Sequence, residues 1–229
     1  MKRWTLLVFP ALFACTESVE STDVRTTGVY PEFQVVADGS GNTNASARLK
    51  VGGNDSNTFL DLQGSDVLEV SAKGQTQRMT SSGAHSYGAT FAFDEAGTEF
   101  EFAFRRGDED TAAVHSAVTL PEPFTLQMGT TEASRATDAV SFSWDPPAGG
   151  NIEWDLDGDC VWNDRGSTTD DGSHTLDLSD VRAFGEETKS CSVRLTLQRV
   201  HKGSVDPAFS EGGENRAYQL RAQTFTSMP

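Results

Sequence analysis

The stretch Thr98–Arg106, TEFEFAFRR, places Phe100, Phe102 and Phe104 on one side of an extended chain and Glu99, Glu101 and Arg105 on the other. Successive side chains of a strand point to opposite faces, so this period of two predicts a half-buried antiparallel strand. Just upstream, Tyr87, Ala89, Phe91 and Phe93 alternate in the same way. Asp94-Glu95-Ala96-Gly97 lies between them and has turn chemistry, so the two runs predict a β-hairpin.

The same period extends outward in both directions. Ala47, Leu49 and Val51 form one shorter alternating set and Leu68, Val70 and Ala72 another, punctuated by Gly52-Gly53-Asn54, Gly64-Ser65 and Gly74. Past Leu120-Pro121-Glu122-Pro123 the pattern restarts in Phe124–Met128, Val140–Trp144, Ile152–Leu156, Thr175–Leu178, Cys191–Val200 and Tyr218–Phe225. Two prolines disfavour a continuing central strand, so a boundary is expected there. Many short strands and no long helical pattern predict an all-β protein. The expected arrangement is two immunoglobulin-like β-sandwich domains, residues 30–120 and 121–229. One helical turn is expected at Ser179–Phe184, with Ser179 as its cap.

The N-terminus carries an address. Met1-Lys2-Arg3 is basic, and Trp4–Ala14 is an apolar stretch too short to cross a hydrocarbon layer of roughly 30 Å. Residues 1–14 therefore read as a signal peptide. Leu12-Phe13-Ala14-Cys15 resembles the bacterial lipobox. That resemblance implies cleavage before Cys15 and acylation of its thiol, as in palmitate-bearing lipoproteins. Residues 15–29 would then be a lipidated tether, polar enough to be flexible and about 20 Å in reach. Thr16 replaces the Asp that favours inner-membrane retention in enteric bacteria, so the expected location is the cell envelope with the outer membrane favoured.

Composition narrows the partners. The 229 residues carry 34 acids against 18 Lys and Arg, a net charge of −16, and loss of the leader removes two more positive charges. Such an excess argues against nucleic acid, whose binding rests on clustered Lys and Arg. Three cysteines are too few for a disulfide-rich scaffold or a zinc ribbon. With Cys15 lipidated, Cys160 and Cys191 remain, and an oxidising compartment would let them pair.

Asp145–Asp180 holds ten acids against one base, Arg165. Within it, Asp155, Asp157 and Asp159 alternate, with Asn163 and Asp164 just downstream. Calcium takes six to eight hard oxygen ligands from loops of this kind, so these five residues are the candidate metal ligands. Cys160 and Gly166 stand where an EF-hand places Gly and Glu, and a solvated acidic strand running into an Asp-Gly turn accounts for the same spacing.

Trp154-Asp155-Leu156-Asp157-Gly158-Asp159 resembles the W-D-x-D-G-D signature of PKD-type immunoglobulin-like domains. In those domains a later V-x-L-x-L strand packs on the Trp, as Val193-Arg194-Leu195-Thr196-Leu197 would here. The overall plan also resembles secreted lipoproteins of myxobacteria and related groups, through Leu120–Phe124, Trp144-Asp145-Pro146, and Gly158-Asp159-Cys160 with Cys191. Both resemblances imply architecture and address, and no activity.

The sequence holds no G-x-S-x-G, H-E-x-x-H, Walker or dinucleotide-binding motif, and His85, His115, His174 and His201 are scattered. Carboxylates 5–10 Å apart could serve glycoside hydrolysis, but 34 acids make some such pair inevitable. Trp144 and Trp154 are expected in the core, and Trp162, after the Asp-Gly turn, is the candidate for stacking on a ligand. The expected function is a non-enzymatic membrane-anchored lipoprotein acting as an envelope interaction or adhesion module, with an unidentified protein or glycan partner. The alternatives are a calcium-dependent, carbohydrate-type binding module and, less favoured, a secreted hydrolase. No cofactor is expected beyond calcium.

Overall fold

The computed structural model describes residues 17–107, 112–177, 181–182 and 189–229. The leader and Cys15 lie outside it, as does the helical turn expected at 179–184 apart from Val181 and Arg182. The described residues are almost entirely strands and turns, so the fold is all-β and of sandwich type.

Ten strands come from the first part of the chain: β1 (Glu17–Glu20), β2 (Val29–Ala37), β3 (Thr43–Val51), β4 (Thr58–Asp61), β5 (Val67–Ala72), β6 (Gln75–Arg78), β7 (Thr80–Gly83), β8 (Ser86–Phe91), β9 (Glu99–Arg105) and β10 (Ala113–Thr119). The rest are β11 (Thr125–Met128), β12 (Glu132–Ser134), β13 (Val140–Asp145), β14 (Asn151–Asp157), β15 (Asp164–Thr169), β16 (Ser173–Leu176), β17 (Cys191–Lys202) and β18 (Glu214–Met228).

Two apolar cores form. The first is built on β2, β3 and β8 facing β5, β9 and β10, with Phe33, Phe91, Phe100, Phe102 and Phe104 buried between the sheets. The second lies between β14, β17 and β18 and the small sheet β11-β13-β16, around Phe142, Trp144, Trp154 and Leu195. One sheet runs through both lobes in the order β1-β4-β3-β2-β18-β17-β14-β15.

Strand β18 makes the join. Its first half pairs in parallel with β2, from Glu214↔Glu32 to Gln219↔Ala37. Its other edge pairs with β17 along the whole length, from Lys202↔Arg216 to Cys191↔Ser227. The second unit therefore does not run as one block from 121 to 229, because Phe209 and Ala217 belong to the first core. Gly203 sits at this return, where a Cβ would lie 2.2 Å from the Ala117 carbonyl oxygen. A side chain there would part the paired backbones of Ala117 and Ser204.

Two expectations need correction. The runs 87–93 and 98–106 are not a hairpin: β8 pairs with β3 and β7, whereas β9 pairs with β5 and β10 in the opposite sheet. Their phenylalanines meet across the core, Phe91 edge-on to Phe100 at 5.4 Å between centroids. Asp94–Gly97 is thus a corner between sheets, held by Gly97 N–H donating to the Leu120 carbonyl. Nor are residues 17–29 a free tether. They form β1, which pairs with β4, and two short 3₁₀ turns at Ser21–Asp23 and Thr26–Gly28. Arg106 secures them, donating to the carbonyls of Ser21 at 2.5 Å and Val24 at 2.7 Å. The Ser21 hydroxyl accepts from the Gln63 N–H at 2.9 Å. A polar segment is stable here because protein groups, not water, satisfy its backbone.

Candidate functional site

The acidic stretch builds the end of the second lobe. Along β14, Ile152, Trp154 and Leu156 are buried while Glu153, Asp155 and Asp157 point outward. The Trp154 indole covers Gly166 of the neighbouring strand, where a Cβ would stand 2.5 Å from the ring. After Asp157 the chain turns, burying Cys160 and Val161. Cys160 bonds to Cys191 at the start of β17, with 5.8 Å between their Cα atoms. Arg135 adds a polar tie, donating to the Ser227 carbonyl at 3.2 Å and the Lys189 carbonyl at 2.9 Å.

The five calcium candidates do not converge. Asp155 stands opposite Arg165 on β15, and Asp157 stands opposite Arg194 on β17. Asp164 accepts from its neighbour's N–H through Oδ1 at 2.9 Å and faces Arg182 through Oδ2 at 3.5 Å. Asp159 and Asn163 line one recess, which none of the other three candidates lines. Among the described residues no group of three or more His, Cys, Asp or Glu side chains is placed to hold a metal ion. The physical reason is the strand itself: alternation keeps Asp155 and Asp157 on one face but about 7 Å apart, each beside a cross-strand cation. Burial raises the Asp155 carboxyl above its ordinary range, Arg165 pulls it down, and Asp157 pushes it up.

The tip carries a different feature. Trp162 is 50% exposed, the one large apolar side chain left exposed among the described residues. It lines a recess of about 370 Å³ with Gly158, Asp159, Val161 and Asn163. Its backbone N–H donates to the Arg182 carbonyl at 2.9 Å. Trp144 and Trp154, by contrast, are buried.

The best-satisfied ionic group in the second lobe lies at the opposite end, where the lobes meet. Arg199 Nη2 donates to Asp170 Oδ1 at 2.9 Å, and its Nε donates to Oδ2. The Trp144 indole N–H donates to Oδ1 at 2.6 Å. The rest of the guanidinium binds the carbonyls of Pro146 at 2.6 Å and Glu122 at 3.0 Å. Two guanidinium groups lie over the Phe124 ring, Arg199 at 5.0 Å and Arg221 at 5.4 Å from its centroid. Burial would raise the Asp170 carboxyl, but hydrogen bonds and charge from Arg199, with the Trp144 N–H, hold it below the usual carboxylate range.

Sequence reasoning passed over this network, although β17 contained its signal. Val193, Leu195 and Leu197 face inward, and Arg199 shares their parity. A charge in an apolar register demands a buried partner.

The histidines are dispersed. His85 stacks on Phe59, His174 lies edge-on to Phe142, and His201 Nδ1 is 3.1 Å from the Thr119 carbonyl oxygen. The backbone N–H of His115 donates to Asp206 Oδ2 at 2.8 Å.

No protein-family model matches the chain, and no curated protein is significantly similar to it.

Proposed function

We propose that the protein is a non-enzymatic lipoprotein of the bacterial envelope. On this reading it is anchored through Cys15, favours the outer membrane, and acts as an interaction or adhesion module. The observation that supports this best is how the body uses its charged groups. Half-buried Arg106 and buried Arg199 bind backbone carbonyls and fasten chain segments together, and one sheet unites both cores. A body built this way suits the presentation of a surface.

Intact mass of the membrane-extracted protein tests the anchor. The expected species begins at Cys15 and carries acyl mass there, and Cys15→Ser should move the protein into the soluble fraction. An unmodified Cys15 thiol, or cleavage at another bond, would overturn the reading.

A second reading concerns the partner. Trp162 offers an aromatic face, and Asp159 and Asn163 beside it offer acceptors and a donor, the combination that binds a sugar ring. Titration with soluble glycans, followed by indole fluorescence, should show saturable binding that Trp162→Ala removes. Identical curves for the two proteins would exclude the recess.

A further inference from the structure

We propose that the protein stands upright on the bilayer, with the β1 end of the first lobe against the headgroups and the Trp162 tip pointing away. This rests on Cys15 being the lipid attachment site. The orientation follows from strand directions. β1 is parallel to β4, β4 is antiparallel to β3, and β3 is antiparallel to β2, so β1 and β2 run the same way. β2 is parallel to β18, which continues past it into the second lobe. By pairing sense β1 therefore runs toward the second lobe, and it begins, at Glu17, on the opposite side.

Register fixes the level of that exit. Glu17 pairs with Thr58, Phe59 with Lys50, and Lys50 with Tyr30, so Glu17 lies level with Val29 at the start of β2. The far end of the molecule is reached along β18. Cys191 pairs with Ser227 there, Ser134 pairs with Met228, and the Asp157–Trp162 turn is bonded to Cys191. The fifteen residues of β18 alone span about 45 Å at roughly 3.3 Å each.

What lies between lipid and body is short. Only Thr16 separates Cys15 from Glu17, a reach of about 7 Å. A free tether from Cys15 to Val29 would instead allow about 20 Å and any tilt. β1 is held along its four residues by β4, and Val19 packs against the first core. If β1 peeled away, the Arg106 bonds to Ser21 and Val24 would still limit the slack.

The pole is polar. Among its charged residues Glu17, Asp55, Glu211 and Arg25 are exposed, while Lys50 is paired with Glu32 at 2.7 Å. Acyl chains, not a basic patch, therefore set the orientation, and added salt should leave it unchanged.

The test uses the acylated full chain in vesicles carrying a headgroup quencher. A dye is placed on Asp55→Cys at the near pole or on Ala136→Cys at the far one. Both positions are exposed, Cys160 and Cys191 are bonded to each other, and the acylated chain used has its Cys15 thiol blocked by lipid. Quenching should be several-fold stronger at position 55 than at 136. A Gly-Ser insert of about twelve residues after Thr16 should largely erase that difference. Vesicle-bound protein with equal quenching at both positions overturns the orientation and leaves the anchor standing. Protein that carries no lipid at Cys15 overturns the anchor reading and the orientation with it.

Discussion

Each lobe contains an arginine withdrawn from solvent and paired with a buried aspartate, Arg106 half-buried and Arg199 buried, and the two pairs are built differently. Arg106 lies 3.2 Å from Asp66 Oδ2, but its hydrogen bonds go to the backbone of Ser21 and Val24, and that carboxylate oxygen makes no hydrogen bond. Arg199 binds both oxygens of Asp170, which also accepts the Trp144 indole N–H. Both guanidiniums fasten an incoming segment: Arg106 holds residues 21–26, and Arg199 holds the 122–123 connection and Pro146. In the first lobe the ion pair is secondary to the backbone bonds, whereas in the second the carboxylate is the centre of the network. Removing the arginine should therefore expose different liabilities.

The largest effect is expected from Arg199→Ala. It leaves Asp170 buried without its cation, and breaking a buried pair from one side costs about 3–5 kcal/mol. Thermal unfolding should show the loss. Substituting both partners, Arg199→Met with Asp170→Asn, should recover much of it, and a double-mutant cycle measures the coupling. Acid gives a second view. A carboxyl held below its unfolded pKa stabilises the fold above that unfolded value of about 3.9, and the contribution disappears as pH falls through the lower folded value. Melting temperature should drop steeply below about pH 4, and less steeply in Asp170→Asn.

The next effect separates the lobes by covalent chemistry. The Cys160–Cys191 bond closes 31 residues of the second lobe, worth roughly 3.5 kcal/mol by chain entropy. Reductant should lower the unfolding midpoint and speed hydrogen exchange at β14 and β17, with less change at β5 and β9. Uniform acceleration in both lobes would mean that the shared strand β18 couples them into one cooperative unit.

Arg106→Gln should cost less, about 1–3 kcal/mol, since the shorter amide keeps a donor for one of the carbonyls that Arg106 binds. Its signature is local: residues 17–26 should become sensitive to protease while the phenylalanine core stays protected. Equal protection of that segment in variant and native protein would show that β1 pairing alone is sufficient.

The sequence made faces legible more readily than neighbours. Alternation at Phe100, Phe102 and Phe104 identified the buried side of β9 correctly. Period two carries no label for the sheet, so two adjacent alternating runs looked like a hairpin when they face each other across the core. The 17–29 segment looked free because the partner that orders it, Arg106, is about eighty residues away. The parity of Arg199 was legible and its meaning was not, since Asp170 lies outside any alternating run. Loop closure of this kind is decided by tertiary contacts, and local spacing does not encode it.

The smallest expected effect distinguishes the conspicuous acids from the consequential one. Asp155 and Asp157 lie on the outer face of β14, each opposite an arginine, and Asp170 is buried. Burial and Asp157 outweigh Arg165 in raising the Asp155 carboxyl, so its charge is a slight burden in the fold. Stability then falls as pH rises from the ordinary carboxylate value through the raised one, and the penalty persists above it. Asp155→Asn should consequently match or exceed the native protein at neutral pH by up to about 0.5 kcal/mol, and the two should coincide below about pH 4. Calcium at millimolar concentration should leave the melting temperature of both unchanged, because a ligand that binds only the folded state stabilises it in proportion to RT ln(1 + [L]/Kd). A calcium-dependent rise that Asp157→Asn abolishes would return the outer acids to the centre of the function. Without it, their charge serves to keep an exposed sheet face solvated.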